Sequence, residues 1–335
     1  MDALTFLLKR PQRLIESTFS PAGKTVLVTG AGGFIGTALC TQIAQMHPSC
    51  LVMVDFYENT AYTTYLQIRD TCNVQLRILS VCDRTAMENL FATYHPQIIF
   101  HAAAHKHVPL MQLVPCEAVK NNVGGTKIVL DLAARYESEK FVLISTDKAI
   151  KPVSIMGQTK RVCELLATHK AGIESSIARF ANVFGSSGSV VPIYRQQIQA
   201  GGPVTVIRGA SRYFISRQEA VSFLLFCAAQ SGFTRTFILD AGQAIEMEAL
   251  ARNLIYLSGG AATIQYIPAR EGDRMQEEYP SFDNLYPTSS PYVYAYPVTA
   301  PKSGFPQKLA QLQNAAESGD DQTTAALLKE ITCEY

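Results

Sequence analysis

A hydroxyl, a carboxyl and an amine stand in a row at Thr146-Asp147-Lys148, and Lys160 follows on the next predicted helix. Such a row supplies a hydrogen-bond donor, an acid and an amine base, the parts needed for general acid–base chemistry around one carbon skeleton. Taken alone, Thr-Asp-Lys is an ordinary strand end with solvated charges, so its weight depends on its surroundings. The apolar run Phe141-Val-Leu-Ile-Ser145 precedes it and reads as a buried strand. In an open α/β sheet, ligands sit beyond the carboxyl ends of the strands. Lys160 lies in Met156-Gly-Gln-Thr-Lys160-Arg161, after a short proline-containing loop.

Two upstream features give the row a context. Gly30-x-x-Gly33-x-x-Gly36 sits between a predicted strand and a predicted helix, and Asp55 ends the following strand. That arrangement is the dinucleotide fingerprint: glycines allow a tight turn and let a pyrophosphate approach backbone N–H groups at a helix N-terminus. Asp55 would accept from a ribose 2′-hydroxyl and repel a 2′-phosphate, so NAD is favoured over NADP. The second feature is His101-Ala-Ala-Ala-His105-Lys106-His107 after another strand. Small side chains at Ala102, Ala103 and Ala104 let a flat cofactor lie close. The histidines are expected to serve structural hydrogen bonds rather than a metal, with Lys106 as the ligand contact. Asn121 and Asn122 open a long helix, either as caps or as supports of the site. Arg195, Arg212 and Arg270 are spread along the second half, as surface charges or as guanidinium clamps for a diphosphate.

Behind these residues, short apolar runs alternate with helical patterns. Strands are expected at Lys24–Thr29, Cys50–Val54, Val74–Leu79, Gln97–His101, Phe141–Ser145 and Ser175–Arg179. Helices are expected at about Tyr62–Asp70, Arg84–Tyr94, Glu117–Tyr136 and Gly157–Lys170. The fold class is therefore α/β, a Rossmann-type doubly wound parallel sheet with a smaller α/β substrate-binding domain. Residues 1–21 read as an N-terminal helix and linker, 22–180 as the dinucleotide-binding domain, 181–300 as mainly the substrate domain, and 301–335 as C-terminal helices. Residues of about 213–242 are expected to return to the first domain. The stretch from Gly185 to Pro203 is broken by glycine and proline, and the tyrosine- and proline-rich Asn284–Pro306 reads as an extended, surface-running segment.

Composition excludes several classes. With 29 basic and 28 acidic residues the net charge is +1, so no global field draws the chain to nucleic acid or anionic membranes. No apolar run reaches spanning length, and the N-terminus lacks the pattern of a signal peptide. The eight scattered cysteines, with no Cys-x-x-Cys pair, fit buried reduced thiols of a cytoplasmic protein.

These residues together resemble an extended short-chain dehydrogenase/reductase, and specifically the UDP-N-acetylglucosamine 4,6-dehydratases of bacterial polysaccharide and flagellin-glycan pathways. The segments carrying the resemblance are Thr25 to Gly33, His101 to Met111, Ala118-Val-Lys-Asn-Asn122, Ser145-Thr-Asp-Lys148, Gly157-x-Thr-Lys-Arg161, Gly188-Ser-Val-Val-Pro192, Gly201 to Thr205 and Arg212-Tyr-Phe214. The resemblance implies NAD as cofactor, a UDP-sugar as substrate and a homo-oligomer. It implies hydride transfer from the sugar C4, loss of water across C5 and C6, and hydride return to C6. Lys148 would be the C5 base, with its pKa lowered by burial and by Lys160. Asp147 would protonate the leaving hydroxyl, Thr146 would hydrogen-bond O4, and Lys160 would hold the nicotinamide ribose. Phe34, Ile35, Ser80 and Val81 join the cofactor set by position. Lys106, Asn182, Val190, Arg195, Thr205, Arg212, Arg270 and Asp273 carry over as contacts to the nucleotide sugar.

Three departures from the family pattern stand out. Met156 occupies the catalytic position where the parent superfamily has tyrosine, and a thioether has no titratable proton, so Asp147 is expected to take the O4 proton, directly or through water. Ser80 replaces an adenine-contacting aspartate. Phe34 replaces a serine, and Arg270-Glu-Gly-Asp-Arg274 replaces an arginine-proline-glycine-glutamate-lysine segment. The membrane helices of the large members are missing, so a short soluble form is expected. The alternatives are an epimerase, a dehydratase of other regiochemistry such as 5,6, and a non-catalytic protein that binds NAD or a UDP-sugar.

Overall fold

Six β-branched runs become parallel strands in the computed structural model, which describes residues 2–232, 234–297 and 304–334. They are β1 (Thr25–Thr29), β2 (Cys50–Asp55), β3 (Val74–Ile78), β4 (Ile98–His101), β5 (Lys140–Thr146) and β6 (Glu174–Phe180). All six residues of β2 are buried, as expected of a strand covered on both faces. From one edge the sheet runs Tyr286–Pro287, Val293–Tyr296, Arg235–Leu239, β6, β5, β4, β1, β2, β3. Pairing is parallel from Arg235–Leu239 to β3, and the two strands beyond are antiparallel. The chain leaves β1 for β2 on one side and reaches β4 on the other. A crevice is therefore left beyond the carboxyl ends of β1 and β4, where doubly wound sheets bind ligands.

Each face of the sheet carries its own apolar layer. One joins Leu27, Val52 and Phe141 to the helices Gly125–Arg135 and Ile155–His169; the other joins Val26, Val28 and Phe100 to the helices Phe34–Ala44 and Arg217–Ala229. The helices Phe305–Ser318 and Asp321–Glu334 lie over the first layer, with Phe305, Leu312, Leu328 and Ile331 fully buried.

The structure departs from the expected elements in three places. Val190–Gln199 forms a helix within the glycine- and proline-broken stretch, because Pro192 falls in its first turn, where no intrahelical N–H is needed. Val293–Tyr296, expected on the surface, pairs with Arg235–Leu239 and buries Val293 completely; residues 298–303 of that stretch lie outside the described residues. The two C-terminal helices, expected from the sequence at Gln307–Ala316 and Thr323–Thr332, run longer, over Phe305–Ser318 and Asp321–Glu334, and residues 301–303 of that stretch are likewise outside the described residues.

A smaller lobe is built from three short strand pairs: Asn182–Val183 with Phe214–Ile215, Ser211–Arg212 with Ile245–Glu246, and Val204–Ile207 with Ile264–Ile267. The N-terminal helix Ala3–Leu8 belongs here, since Leu7 and Leu8 share a core with Leu250 and Leu254. Its exit is clamped by Arg10, whose guanidinium meets the buried Glu219 carboxylate at 2.5 Å and donates to the carbonyls of Phe214 and Ala241. Glu219 also accepts from the Ser216 backbone N–H in a capping box, so one carboxylate ties residue 10 to the start of the helix Arg217–Ala229.

Candidate active site

The glycine loop is shaped by what a side chain would strike. Gly30 has φ +68°, and a Cβ there would lie 2.7 Å from the Ala103 backbone nitrogen. A Cβ on Gly36 would overlap the Gly30 carbonyl oxygen, so the first helical turn packs directly on the loop. Gly33 is the N-cap of the helix Phe34–Ala44 and makes no side-chain cap, so the first N–H groups of that helix have no intrahelical acceptor. The Gly32 N–H donates to Asp55 Oδ2 at 2.8 Å and the Tyr57 N–H donates to Oδ1 at 2.9 Å. The carboxylate is thereby oriented at the end of β2 beside the loop. The Phe34 ring lies under the Arg217 guanidinium at 5.1 Å, and Ile35 is half-buried beside it. Ala102 and Ala103 hang from β1 through Thr29, which accepts the Ala102 N–H with its carbonyl and the Ala103 N–H with its hydroxyl; Ala104 continues the loop. Ser80 caps a turn by accepting the Cys82 N–H, and Val81 is buried under Gly125. A cradle that excludes Cβ atoms, opens on helix N–H groups and ends at an oriented carboxylate fits a dinucleotide.

At the end of β5 the three polar residues converge. Thr146 Oγ1 donates to Asp147 Oδ1 at 2.7 Å, while Asp147 Oδ2 is buried with no partner among the described residues. Lys148 Nζ lies 3.2 Å from Asp147 Oδ1 and donates to Asn182 Oδ1 at 3.0 Å. It lies closest to a residue the sequence reading did not select: Glu277, whose Oε1 is 2.6 Å away. Glu277 is buried and also accepts from Asn182 Nδ2 at 2.8 Å and from the Tyr213 N–H at 3.2 Å, with Arg212 Nε at 3.5 Å. Its only sequence signal is its place just after the Arg270–Arg274 segment.

The charges correct one expectation. Burial works against the Lys148 ammonium, but Asp147 and Glu277 together outweigh burial and hold its pKa above the ordinary lysine value, not below it. Asp147 moves the other way: burial, then the neighbouring Glu277 charge, push its carboxyl up to about 6, against the pull of Lys148. Burial lowers Lys160 below its ordinary value.

The helix Ile155–His169 carries the remaining pieces. Ser154 caps it by accepting the Gly157 N–H, which starts the helix so that Met156 and Lys160 occupy successive turns, both buried. Glu164, one turn further, accepts from Ser145 Oγ at 2.6 Å and from Arg179 Nε at 2.7 Å, locking the helix to β5 and β6. The ambiguity at Asn121 and Asn122 is resolved for Asn122. It lies fully buried in a π-helical turn, accepts the His105 N–H at 2.7 Å, and donates to the His105 carbonyl and to Thr159. His101 is held between Thr29 and Thr126, and burial keeps its ring neutral, at about 3. Among the described residues no group of three or more His, Cys, Asp or Glu stands close enough to hold a metal.

The substrate-side residues are brought together unevenly. Lys148, Arg212, Asp273, Arg274 and Glu277 line one cleft with Val108 and Ser154. Lys106 reaches across to the smaller lobe and donates to the Ser187 carbonyl at 2.7 Å, and Gly188 packs against the His107 ring. Val190 opens its helix one residue beyond Ser189, whose hydroxyl is buried without a partner among the described residues. Thr205 accepts from Gln197, Arg195 is exposed, and Arg270 turns outward to pair with Asp273 at 3.1 Å. Arg195, Thr205 and Arg270 are thus not part of the Lys148 cleft.

This sheet order, with its glycine loop and the acid–amine pair beyond β5, is the architecture of an extended short-chain dehydrogenase/reductase. A family model described as "Polysaccharide biosynthesis protein" matches residues 26–296, and the chain belongs to that family. The probable polysaccharide biosynthesis protein EpsC of Bacillus subtilis (strain 168) is 42% identical over 291 residues, which cover 83% of this chain and 49% of EpsC; the chain spans about half of that relative's length. Pen from Bacillus thuringiensis superposes with a TM-score of 0.75 at 25% identity, covering 85% of this chain and 90% of Pen. DesIV of Streptomyces venezuelae, a dTDP-glucose 4,6-dehydratase solved with NAD and TYD bound, shares the fold at a TM-score of 0.69 and 18% identity, covering 77% and 89%. No helix among the described residues is long and apolar enough to cross a membrane.

Proposed function

We propose that this chain is an NAD-dependent nucleotide-sugar 4,6-dehydratase acting on UDP-N-acetylglucosamine or a close relative. The observation that carries the reading is the Asp147 carboxyl, sealed from water, with one oxygen tied to Thr146 and the other unpartnered, beside the Lys148 amine. A carboxyl raised to about 6 exchanges protons easily near neutral pH, as an internal elimination requires. When bound, NAD supplies the hydride acceptor at the sugar C4 and returns the hydride at C6.

This chain's residues would then do the rest. Asp147 Oδ2 accepts the O4 proton in place of the tyrosine absent at Met156, and later gives a proton to the C6 hydroxyl as it leaves as water. Thr146 hydrogen-bonds O4. Lys148, after releasing its ammonium proton to solvent, removes the C5 proton that the neighbouring ketone has acidified and gives a proton back to C5 when C6 is reduced. The glycine loop and Asp55 would hold the dinucleotide, Lys160 its nicotinamide ribose, and Arg212 and Asp273 would contact the UDP moiety of the substrate. Lys106, Asn182, Val190, Arg195, Thr205 and Arg270 complete the proposed nucleotide-sugar contacts; of these Asn182 touches Lys148, and the others lie outside the Lys148 cleft.

A proton-NMR time course of the purified protein with UDP-N-acetylglucosamine in deuterated buffer tests this. Loss of water with a 4-keto-6-deoxy spectrum and deuterium at C5 is the expected outcome. An isomass product would make the protein an epimerase, and tight binding without turnover would make it a binding protein.

A further inference from the structure

Glu277 lies 129 residues from Lys148 in sequence, yet the 2.6 Å ion pair between them is the shortest that Lys148 makes. The segment carrying it is anchored along its length. The Ser211 N–H donates to the Met275 carbonyl at 2.9 Å, Arg274 donates to the carbonyls of Ile150 and Lys151, and Glu278 pairs with Lys151 at 2.9 Å. Two of these anchors grip the loop that leaves β5, so the segment and the Thr146-Asp147-Lys148 row are held as one unit. Glu277 therefore sits where it does because both sides of the cleft hold it there.

We propose that Glu277 is the positioning residue of the acid–amine row: it fixes the Lys148 side chain and holds protons on both Lys148 and Asp147. The proposal rests on the dehydratase reading for its catalytic consequence but not for its electrostatics. The charged and titratable groups facing Glu277 are Lys148 and Asp147 from the end of β5, Arg212 from the smaller lobe, Tyr279 from its own segment, and Asp273 and Arg274, which line the same cleft; Asn182 and the Tyr213 N–H are neutral donors. Burial opposes its ionisation, yet Lys148 and Arg212 keep it ionised, below the ordinary carboxyl value. An ionised Glu277 raises the pKa of Lys148 and of Asp147 together. It therefore favours the state with Lys148 charged and disfavours a second carboxylate at Asp147, which is the like-charge effect of two carboxyls in one site.

The test compares wild type with Glu277→Gln, which keeps the shape and removes the charge. In the free protein, the rate at which an amine-selective acylating reagent modifies Lys148, read by mass spectrometry across pH, is expected to rise about fivefold or more at a fixed pH near 8, because more of the amine is neutral. The midpoint of Asp147 titration, followed by carboxyl carbon NMR, is expected to fall. With substrate, the ascending limb of kcat/KM against pH is expected to move to lower pH, while Glu277→Asp moves back towards wild type. A variant that only loses melting temperature, with Lys148 acylation and Asp147 titration unchanged, overturns the proposal. If Glu277→Gln does not fold, the same two titrations are read in Glu277→Ser, which also removes the charge, and a Lys148 acylation rate and an Asp147 midpoint both unchanged from wild type overturn the proposal. Because the acylation and NMR readouts need no turnover, a wild type that is inactive on UDP-sugars overturns the dehydratase reading alone.

Discussion

The Thr146 hydroxyl donates to Asp147 Oδ1 at 2.7 Å, leaving Oδ2 of the same carboxyl buried and unpartnered among the described residues. A carboxyl so placed is costly to ionise, and its raised pKa sets the sign of two effects. The free-enzyme form that accepts the O4 proton is the carboxylate, so kcat/KM is expected to fall as pH drops through about 6. Asp147→Asn is expected to lower turnover by about 10²–10⁴-fold. Unchanged turnover in that variant would remove Asp147 from the chemistry.

The same group affects stability with the opposite sense to a surface carboxylate. Its folded pKa lies above the unfolded value, so the stability it contributes is present below about 4 and is lost as pH rises through about 6. Asp147→Asn, which cannot ionise, is expected to gain roughly 1–3 kcal/mol over wild type at pH 7.5, with the gain shrinking towards pH 4. Paired thermal melts at the two pH values measure this; a constant difference would contradict it.

Met156 is only 5% exposed, and in the proposed dehydratase reading it stands where a tyrosine would act. If it carries no proton, Met156→Leu should keep turnover within about tenfold, since volume-conserving apolar swaps disturb a packed site little. A folded Met156→Leu protein without activity would show that the thioether does something specific.

Asp55 is held by the Gly32 and Tyr57 N–H groups at the point where β2 ends. Asp55→Asn keeps an acceptor but removes the negative charge, so the preference for NAD over NADP is expected to narrow by about tenfold or more. Dissociation constants for both dinucleotides give the answer without any sugar substrate.

Glu164 and Arg179 form an ion pair in which both side chains are almost wholly buried, at 2.5 Å, with Ser145 and Arg161 donating to the same carboxylate. Removing one partner leaves a buried charge alone, which costs about 3–5 kcal/mol. Glu164→Gln is expected to lower the denaturation free energy on that scale. Because this helix also carries Lys160, cofactor affinity should fall with it.

The run of residue types along the chain was sufficient to locate the parallel sheet, because a strand buried on both faces must be apolar throughout and its helices must repeat near every 3.6 residues. The same local logic located the glycine loop, Asp55 and the Thr146-Asp147-Lys148 row at strand ends. Periodicity carries no information about residues that meet through space. Val293–Tyr296 reads as surface because nothing local distinguishes an edge strand of a large sheet from an extended loop, and Arg10 reads as linker because its partner Glu219 lies on another element. Most of all, the charge on Lys148 could be derived only in part from its neighbours in sequence. Asp147 stands beside it in the chain, but the second carboxylate is Glu277, which only the tertiary structure brings to 2.6 Å. Electrostatic energy falls with distance in space, not along the chain, so that second charge was decided by tertiary structure.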